Sequence, residues 1–247
     1  MGGRLEVEKK FHDKKYMEPY KYIPTLRGDI DMAYQYALSL LEPIEGKTIL
    51  DYGCGEGRAS IYFAKRGAYV YGIDISSIAI SKAKELAKKH EVEDKTNFEV
   101  MNAEALDFHD ESFDFIHGLA ILHHLDLTRA RDEIYRVLKK GGKAVFLEPL
   151  GHNPFINLYR KLTPHLRTPT ERPLLMRDLV YFSEPFSNFY HKEFYLTALL
   201  AVPLSILPNK NIFKKIYNNF AKLDNIIINK CQILRKYAWI TVIQVIK

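Results

Sequence analysis

The sequence predicts an α/β fold: a seven-stranded, mostly parallel sheet with helices on both faces. Three observations predict it. Strand-like runs alternate with helical runs of about 10 to 15 residues, the pattern of βαβ units and so of a parallel sheet. The runs 68–73 and 144–147 are nearly continuously apolar, as in strands covered on both faces. The first strand-like run also passes through a glycine-rich turn directly into a helix. A chain of 247 residues, 47% hydrophobic and 27% charged, suits one globular domain with a large insertion and excludes a collagen-like or broadly disordered chain.

The elements follow in order. Residues 1–28 read as an irregular or partly helical arm carrying Phe11, Tyr16, Tyr20 and Tyr22. Residues 29–41 have helical spacing of Met32, Tyr36, Leu38 and Leu41, and Glu42-Pro43 ends them because proline disfavours helix in the residue before it. Then come a strand at 48–52, a helix at 58–66 stopped by Gly67, a strand at 69–73 and a helix at 76–90 with Ser76 or Ser77 as N-cap. Strands at 97–101 and 113–117 precede a helix at 127–138, a turn at Gly141-Gly142 and a fifth strand at 143–148. After Leu150 the alternation breaks. Helices at 153–162 and 174–182 flank a proline-rich loop, 163–173, and 186–196 has strand composition. Residues 197–236 read as a largely helical insertion, and the β-favouring residues of 237–246 form the last strand. This divides the chain into an arm and helix (1–45), a core (46–150) and a C-terminal region (151–247) with its insertion at about 197–236.

Charge is unevenly placed. The net charge is +6, but residues 160–247 alone carry 14 Lys/Arg against 5 Asp/Glu. A basic region suits an anionic partner: a phosphorylated compound, a membrane surface or nucleic acid. Cys54 and Cys231 are too few and too far apart for a disulfide framework or a zinc quartet, which points to a reducing, cytoplasmic setting. The charged stretch 1–15 does not read as a signal peptide. The most apolar run, 194–207, falls short of the roughly 20 residues that span a bilayer.

The candidate ligand site is Asp51-Tyr52-Gly53-Cys54-Gly55-Glu56-Gly57. Three glycines remove side chains where backbone and ligand must approach, and the helix that follows points free N–H groups at the same place. In open α/β sheets ligands sit outside the carboxyl ends of the strands. The spacing is Gly-x-Gly-x-Gly, unlike the Gly-x-Gly-x-x-Gly of dinucleotide sites. Asp51 would repel a pyrophosphate but suits a cation such as S-adenosylmethionine, with its sulfonium and ammonium groups. Asp74, ending the second strand, offers a carboxylate to both hydroxyls of a ribose.

These residues resemble the class I S-adenosylmethionine-dependent methyltransferase family over about residues 46–150. The resemblance implies a Rossmann-like sheet whose last strand is antiparallel. It places Asp51, Gly53, Cys54, Gly55 and Gly57 against the methionine and ribose of the cofactor, Asp74 on the ribose and Ile75 on adenine. Asn102-Ala103-Glu104-Ala105-Leu106 resembles the family's Asp-Ala-Glu-x-Leu. Asn102 departs from the usual Asp, yet its amide oxygen still accepts from the adenine amino group. The backbone around Leu119 would meet the methionine end, and 138–142 resembles the turn before the fifth strand.

Methyl transfer is an in-line displacement for which the protein supplies alignment and, for some acceptors, a base. Three histidines are candidates near neutral pH: His123 and His124 after the fourth strand, and His152 after the fifth, with Glu148 as an orienting carboxylate. There is no Asn/Asp-Pro-Pro-Tyr after the fourth strand, no Pro-Cys pair and no cluster with metal-ligand spacing. The expected reaction is methylation of a small-molecule acceptor, lipophilic or anionic, with oxygen favoured as the acceptor atom. The insertion, apolar at 199–204 and basic at Lys210, Lys214, Lys215, Lys222, Lys230, Arg235 and Lys236, suits a lid or a peripheral membrane contact. Arg160, Lys161, Arg167 and Arg172 offer an anion site. The alternatives are an RNA methyltransferase using the basic region, and a non-catalytic protein that binds S-adenosylmethionine.

Overall fold

The computed structural model describes residues 2–17, 31–201 and 210–247. Tyr20, Tyr22, the predicted helix start at residue 29, residues 202–207 of the apolar run and the side chains of Lys210 and Lys214 lie outside the described residues.

The sheet has seven strands: β1 Thr48–Tyr52, β2 Tyr69–Asp74, β3 Thr96–Val100, β4 Phe113–Leu119, β5 Leu138–Pro149, β6 Asn188–Phe194 and β7 Ile240–Ile246. Their order is β3-β2-β1-β4-β5-β7-β6. β1 to β5 run parallel, and β7 lies antiparallel between β5 and β6. The expected fold class, with its antiparallel last strand and a helical insertion before it, is therefore what the chain adopts.

Helices α1 Gly2–Met17, α2 Asp31–Ser39, α3 Arg58–Ala64, α4 Ser77–Lys89, α5 Leu127–Val137, α6 Pro154–Leu162, α7 Met176–Ser183 and α8 Lys210–Lys230 surround the sheet. Successive strand residues face opposite ways, which explains two separate cores. Ile49, Val145 and Val242 pack with Leu41, Phe63, Ala83 and Tyr217 on one side. Leu50, Phe146 and Ile243 pack with Ile116, Ile134 and Phe182 on the other. Capping follows the sequence closely. Ser76 Oγ accepts the N–H of Ala79 at the start of α4, and Asp126 accepts those of Thr128 and Arg129 at the start of α5.

Three local expectations sharpen or change. Of the two readings of the arm, irregular or partly helical, the second holds over its first part, a 16-residue helix packed on α4. The Gly141-Gly142 turn lies within β5. Gly141 takes φ +73, and the register jumps from Phe113 opposite Leu138 to Phe115 opposite Lys143. Lys247 holds the bulged segment by accepting the N–H of Gly141 and donating to the carbonyl of Gly142. β6 stops at Phe194 because Tyr195 turns to φ +67, and β7 starts at Ile240, after a 3-10 helix Gln232–Tyr237.

Candidate functional site

The loop after β1 is built by its glycines. Gly53, Gly55 and Gly57 have φ of +76, +53 and +77. At Gly57 a Cβ would lie 2.9 Å from the Cβ of Ala83 on α4, so no larger residue fits this left-handed position without moving a helix. The N–H of Cys54 donates to the carbonyl of Ile73, binding the loop to the end of β2. Burial pushes the Cys54 thiol well up, which keeps it protonated and non-nucleophilic.

Asp74 completes this corner. Its Oδ2 accepts the N–H of Gly55 at 3.0 Å and its Oδ1 that of Ser76 at 2.9 Å. Burial pushes its carboxyl up, outweighing those backbone bonds. Each oxygen keeps a further lone pair for a diol. Asp51 differs. It is buried, and its oxygens accept Ser60 Oγ at 2.5 Å and His117 Nδ1 at 2.9 Å. Both its oxygens are engaged by neighbouring side chains, so any help to a cation comes through its charge.

The other predicted binding residues gather at the same end of the sheet. Ile75 and Leu119, half-buried, follow or close β2 and β4. Asn102 Oδ1 accepts the N–H of Glu104 and shapes its own turn. The carbonyl of Ala103 accepts the hydroxyl of Tyr52, whose ionisation burial pushes well up, so it stays a donor. Glu104 Oε1 accepts the N–H of Asp126 at 2.7 Å and pairs with Arg4.

Arg4 belongs to α1, whose place at the site sequence reasoning missed. α1 touches the segment after each of the five parallel strands. Tyr16 reaches Gly55, Asp13 Oδ1 accepts Ser76 Oγ at 2.6 Å, and Arg4 bonds Glu104 and the carbonyl of His124. Glu8 Oε2 lies 3.2 Å from His124 Nδ1 and 3.6 Å from His12 Nε2, while Glu8 Oε1 accepts the hydroxyls of Thr168 and Thr170. Burial pushes the Glu8 carboxyl up, but His12, His124 and Thr170 together hold it well below the usual carboxylate range. One signal was present in the sequence: Glu8, His12 and Tyr16 recur every four residues, which puts them on one helix face.

The three candidate histidines part company. His123 Nδ1 bonds Glu148 Oε2 at 2.7 Å, and the fully buried Glu148 also accepts the N–H groups of Ile121 and Leu122. His124 stacks near His123, with ring centroids 4.2 Å apart. Its Nδ1 faces Glu8 and its Nε2 faces Glu171 Oε2 at 4.0 Å. His152 instead accepts the N–H of Met176 through Nε2, with Asp178, Arg177 and Lys236 around it, and burial lowers its pKa. The structure brings His123 and His124 together and employs His152 at the start of α7.

Of the four predicted basic residues, Arg160 and Arg167 converge on Glu171 Oε1 at 2.7 and 3.3 Å, and Arg172 approaches Asp178 at 3.8 Å. Those three guanidinium groups each face a carboxylate. Two overlapping groups could hold a metal ion, Glu8–His12–His124 and His123–His124–Glu171, with ligand atoms within 4.8 Å of one another. The sequence showed no such cluster because α1 and the 163–173 loop reach His124 from more than 30 residues away.

Comparison with known proteins agrees with this architecture. Residues 50–146 match the family model described as "Methyltransferase domain". The chain is 37% identical over 100 residues to 27-O-demethylrifamycin SV methyltransferase of Amycolatopsis mediterranei, covering 40% of this chain and 37% of that one. It is 36% identical over 142 residues to a ubiquinone biosynthesis O-methyltransferase of Alkalilimnicola ehrlichii, covering 57% and 56%. The chain thus spans about a third to just over half the length of these curated relatives. Among solved structures, geranyl diphosphate C-methyltransferase from Streptomyces coelicolor A3(2) superposes with a TM-score of 0.63 at 15% identity, over 87% of this chain and 77% of that one, which is a likeness of fold. Over residues 50–146 this chain thus matches a methyltransferase domain, and its core is similar to those of S-adenosylmethionine-dependent methyltransferases.

Proposed function

We propose that this chain uses S-adenosylmethionine to methylate a small-molecule acceptor, lipophilic or anionic, on oxygen. The observation that carries the proposal is the corner formed by Gly53–Gly57 and Asp74. Backbone lies bare there at the carboxyl ends of β1 and β2. A Cβ on Gly53 would fall 2.9 Å from Ile121 and one on Gly55 2.6 Å from the Tyr16 hydroxyl, and both residues take left-handed φ, so glycine lets the loop lie this close to its neighbours. Asp74, anchored by two backbone N–H groups, presents its remaining lone pairs to a ribose diol, and Ile75 offers an apolar face to a flat base. When bound, the cofactor supplies an electrophilic methyl group.

The residues of the chain then position the acceptor. His124 stands between Glu8 and Glu171. Glu8 Oε2 lies 3.2 Å from Nδ1 on one side of the ring, and Nε2 on the other side would take a proton from an acceptor hydroxyl. The His123–Glu148 pair, tied to the backbone of 121–122, braces the turn that carries His124. The reaction class is supported by the similarity to 27-O-demethylrifamycin SV methyltransferase and to a ubiquinone biosynthesis O-methyltransferase.

Calorimetry with S-adenosylmethionine tests the cofactor half. Wild type should bind, and Asp74→Ala should weaken binding at least about tenfold by removing a buried charged acceptor. Unchanged affinity would refute the assignment.

A further inference from the structure

The C-terminal region carries an apolar surface that the methyl-transfer reading does not use. α6 is started by Asn153, whose Oδ1 accepts the N–H groups of Phe155 and Ile156, with Pro154 in its first turn. Its outer face is greasy: Phe155 is 77% exposed, Leu158 55% and Leu162 71%. At 3.6 residues per turn these three lie within an arc of about 60°. Leu166 follows in the next turn, and Ile233 of the 3-10 helix Gln232–Tyr237 is 74% exposed. Asn153 Nδ2 donates to the carbonyl of Tyr237 at 2.7 Å, which joins the two segments.

Charge identifies what covers this face. Residues 149–170 and 225–247, which contain both segments, hold no Asp or Glu; Arg160 and Arg167 face Glu171 and Lys247 faces Glu111, and beside them Lys161, Lys230, Arg235 and Lys236 carry the remaining positive charge. Lys161 and Lys230 are exposed. An amphipathic helix with an aromatic and leucines on one face and basic flanks is the arrangement that lies in the plane of an anionic bilayer, apolar side down. Among the described residues no helix is long and apolar enough to cross a membrane, so the contact is with the surface.

We propose that the outer face of α6 docks this protein on an anionic lipid bilayer. The same helix looks inward to the acceptor site: Arg160 bonds Glu171, whose other oxygen faces His124. A bilayer-borne acceptor would leave the lipid within one helix of His124. That last step rests on the function proposed above; docking itself does not.

Co-sedimentation with vesicles of phosphatidylcholine, with and without phosphatidylglycerol, tests it. Wild type should bind the anionic vesicles, and binding should weaken as salt is raised. Phe155→Ser/Leu158→Ser/Leu162→Ser should lose at least about tenfold in partition by removing apolar area, with unchanged calorimetric affinity for S-adenosylmethionine. A second variant, Phe155→Trp, should have its fluorescence quenched by brominated lipid. Equal vesicle binding by the triple variant and wild type, no quenching at position 155, or a dimer seen by ultracentrifugation that the triple variant abolishes would each overturn the proposal. Loss of cofactor affinity in the wild type would strike the function instead and leave docking standing.

Discussion

The hydroxyl of Tyr16 lies 2.6 Å from the point that a Cβ on Gly55 would occupy. A residue of the first helix thus closes against the glycine loop that follows the first strand, across the carboxyl edge where ligands bind in such sheets. α1 is in this sense a wall of the site, and its ionic contacts hold it there.

Glu8 is the centre of those contacts, and acid should release them. Its folded carboxyl sits well below the ordinary value of about 4.5. A depressed pKa contributes stability that is fully present above the unfolded value and is lost as pH falls through the folded one. Glu8→Gln should therefore destabilise the protein by about 1.5–3 kcal/mol at pH 7. The gap from wild type should narrow as pH is lowered below about 4.5. Denaturant melts across pH check this; a gap that stays constant to pH 3 would show that the carboxylate charge contributes nothing.

Asp74 should respond in the opposite direction. Burial raises its pKa, so it gains a proton at a pH above the usual carboxylate range. A protonated carboxyl accepts fewer hydroxyl hydrogen bonds. Affinity for S-adenosylmethionine should fall on acidification before an exposed carboxylate would titrate, and Asp74→Asn should flatten that dependence. Calorimetric titrations at stepped pH measure it.

Gly57→Ala tests the loop itself. The new methyl would lie 2.9 Å from Ala83 and 3.2 Å from the Phe98 ring, at φ +77. Strain and overpacking together should cost about 1–3 kcal/mol and lower the melting temperature by several degrees. Scanning calorimetry would expose a neutral outcome.

The two adjacent histidines should separate kinetically. His124→Asn should reduce kcat by about a hundredfold or more, the worth of a positioned base, with cofactor affinity kept. Glu148→Gln should act through the fold: its amide oxygen can still accept the N–H groups of Ile121 and Leu122, but its NH2 replaces the oxygen that faces His123 and the negative charge is lost, so it should lower stability as well as rate. If both variants lose rate and stability alike, His124 has no separate role in proton transfer.

What the sequence revealed, and what it hid, follows from range. The glycine loop, the end of β2 at Asp74 and the succession of strands and helices were legible because each rests on local pattern: glycine spacing, apolar runs and caps a few residues away. The place of Asp51 at the end of β1 was legible but its contacts were not, since Ser60 and His117 come from a helix and another strand. Glu8, His12 and Asp13 escaped because their partners, His124, Thr168 and Ser76, lie more than 60 residues away. His152 looked like His124 on the chain, placed just after a strand end, and only the packing of α7 distinguishes them. The basic residues near the 163–173 loop read as an anion site until Glu171 and Asp178 appeared opposite them.

The proposed function is methyl transfer at the corner of Asp74 and the glycine loop to a small molecule beside His124, lipophilic or anionic, and the lipophilic reading is the one that docking on a bilayer favours. Its most direct test is incubation of the full chain with methyl-labelled S-adenosylmethionine and fractionated cell lysate. The account predicts label in an organic-soluble fraction, dependent on both Asp74 and His124. Label in RNA, or cofactor binding with no label transferred to any fraction, would contradict it.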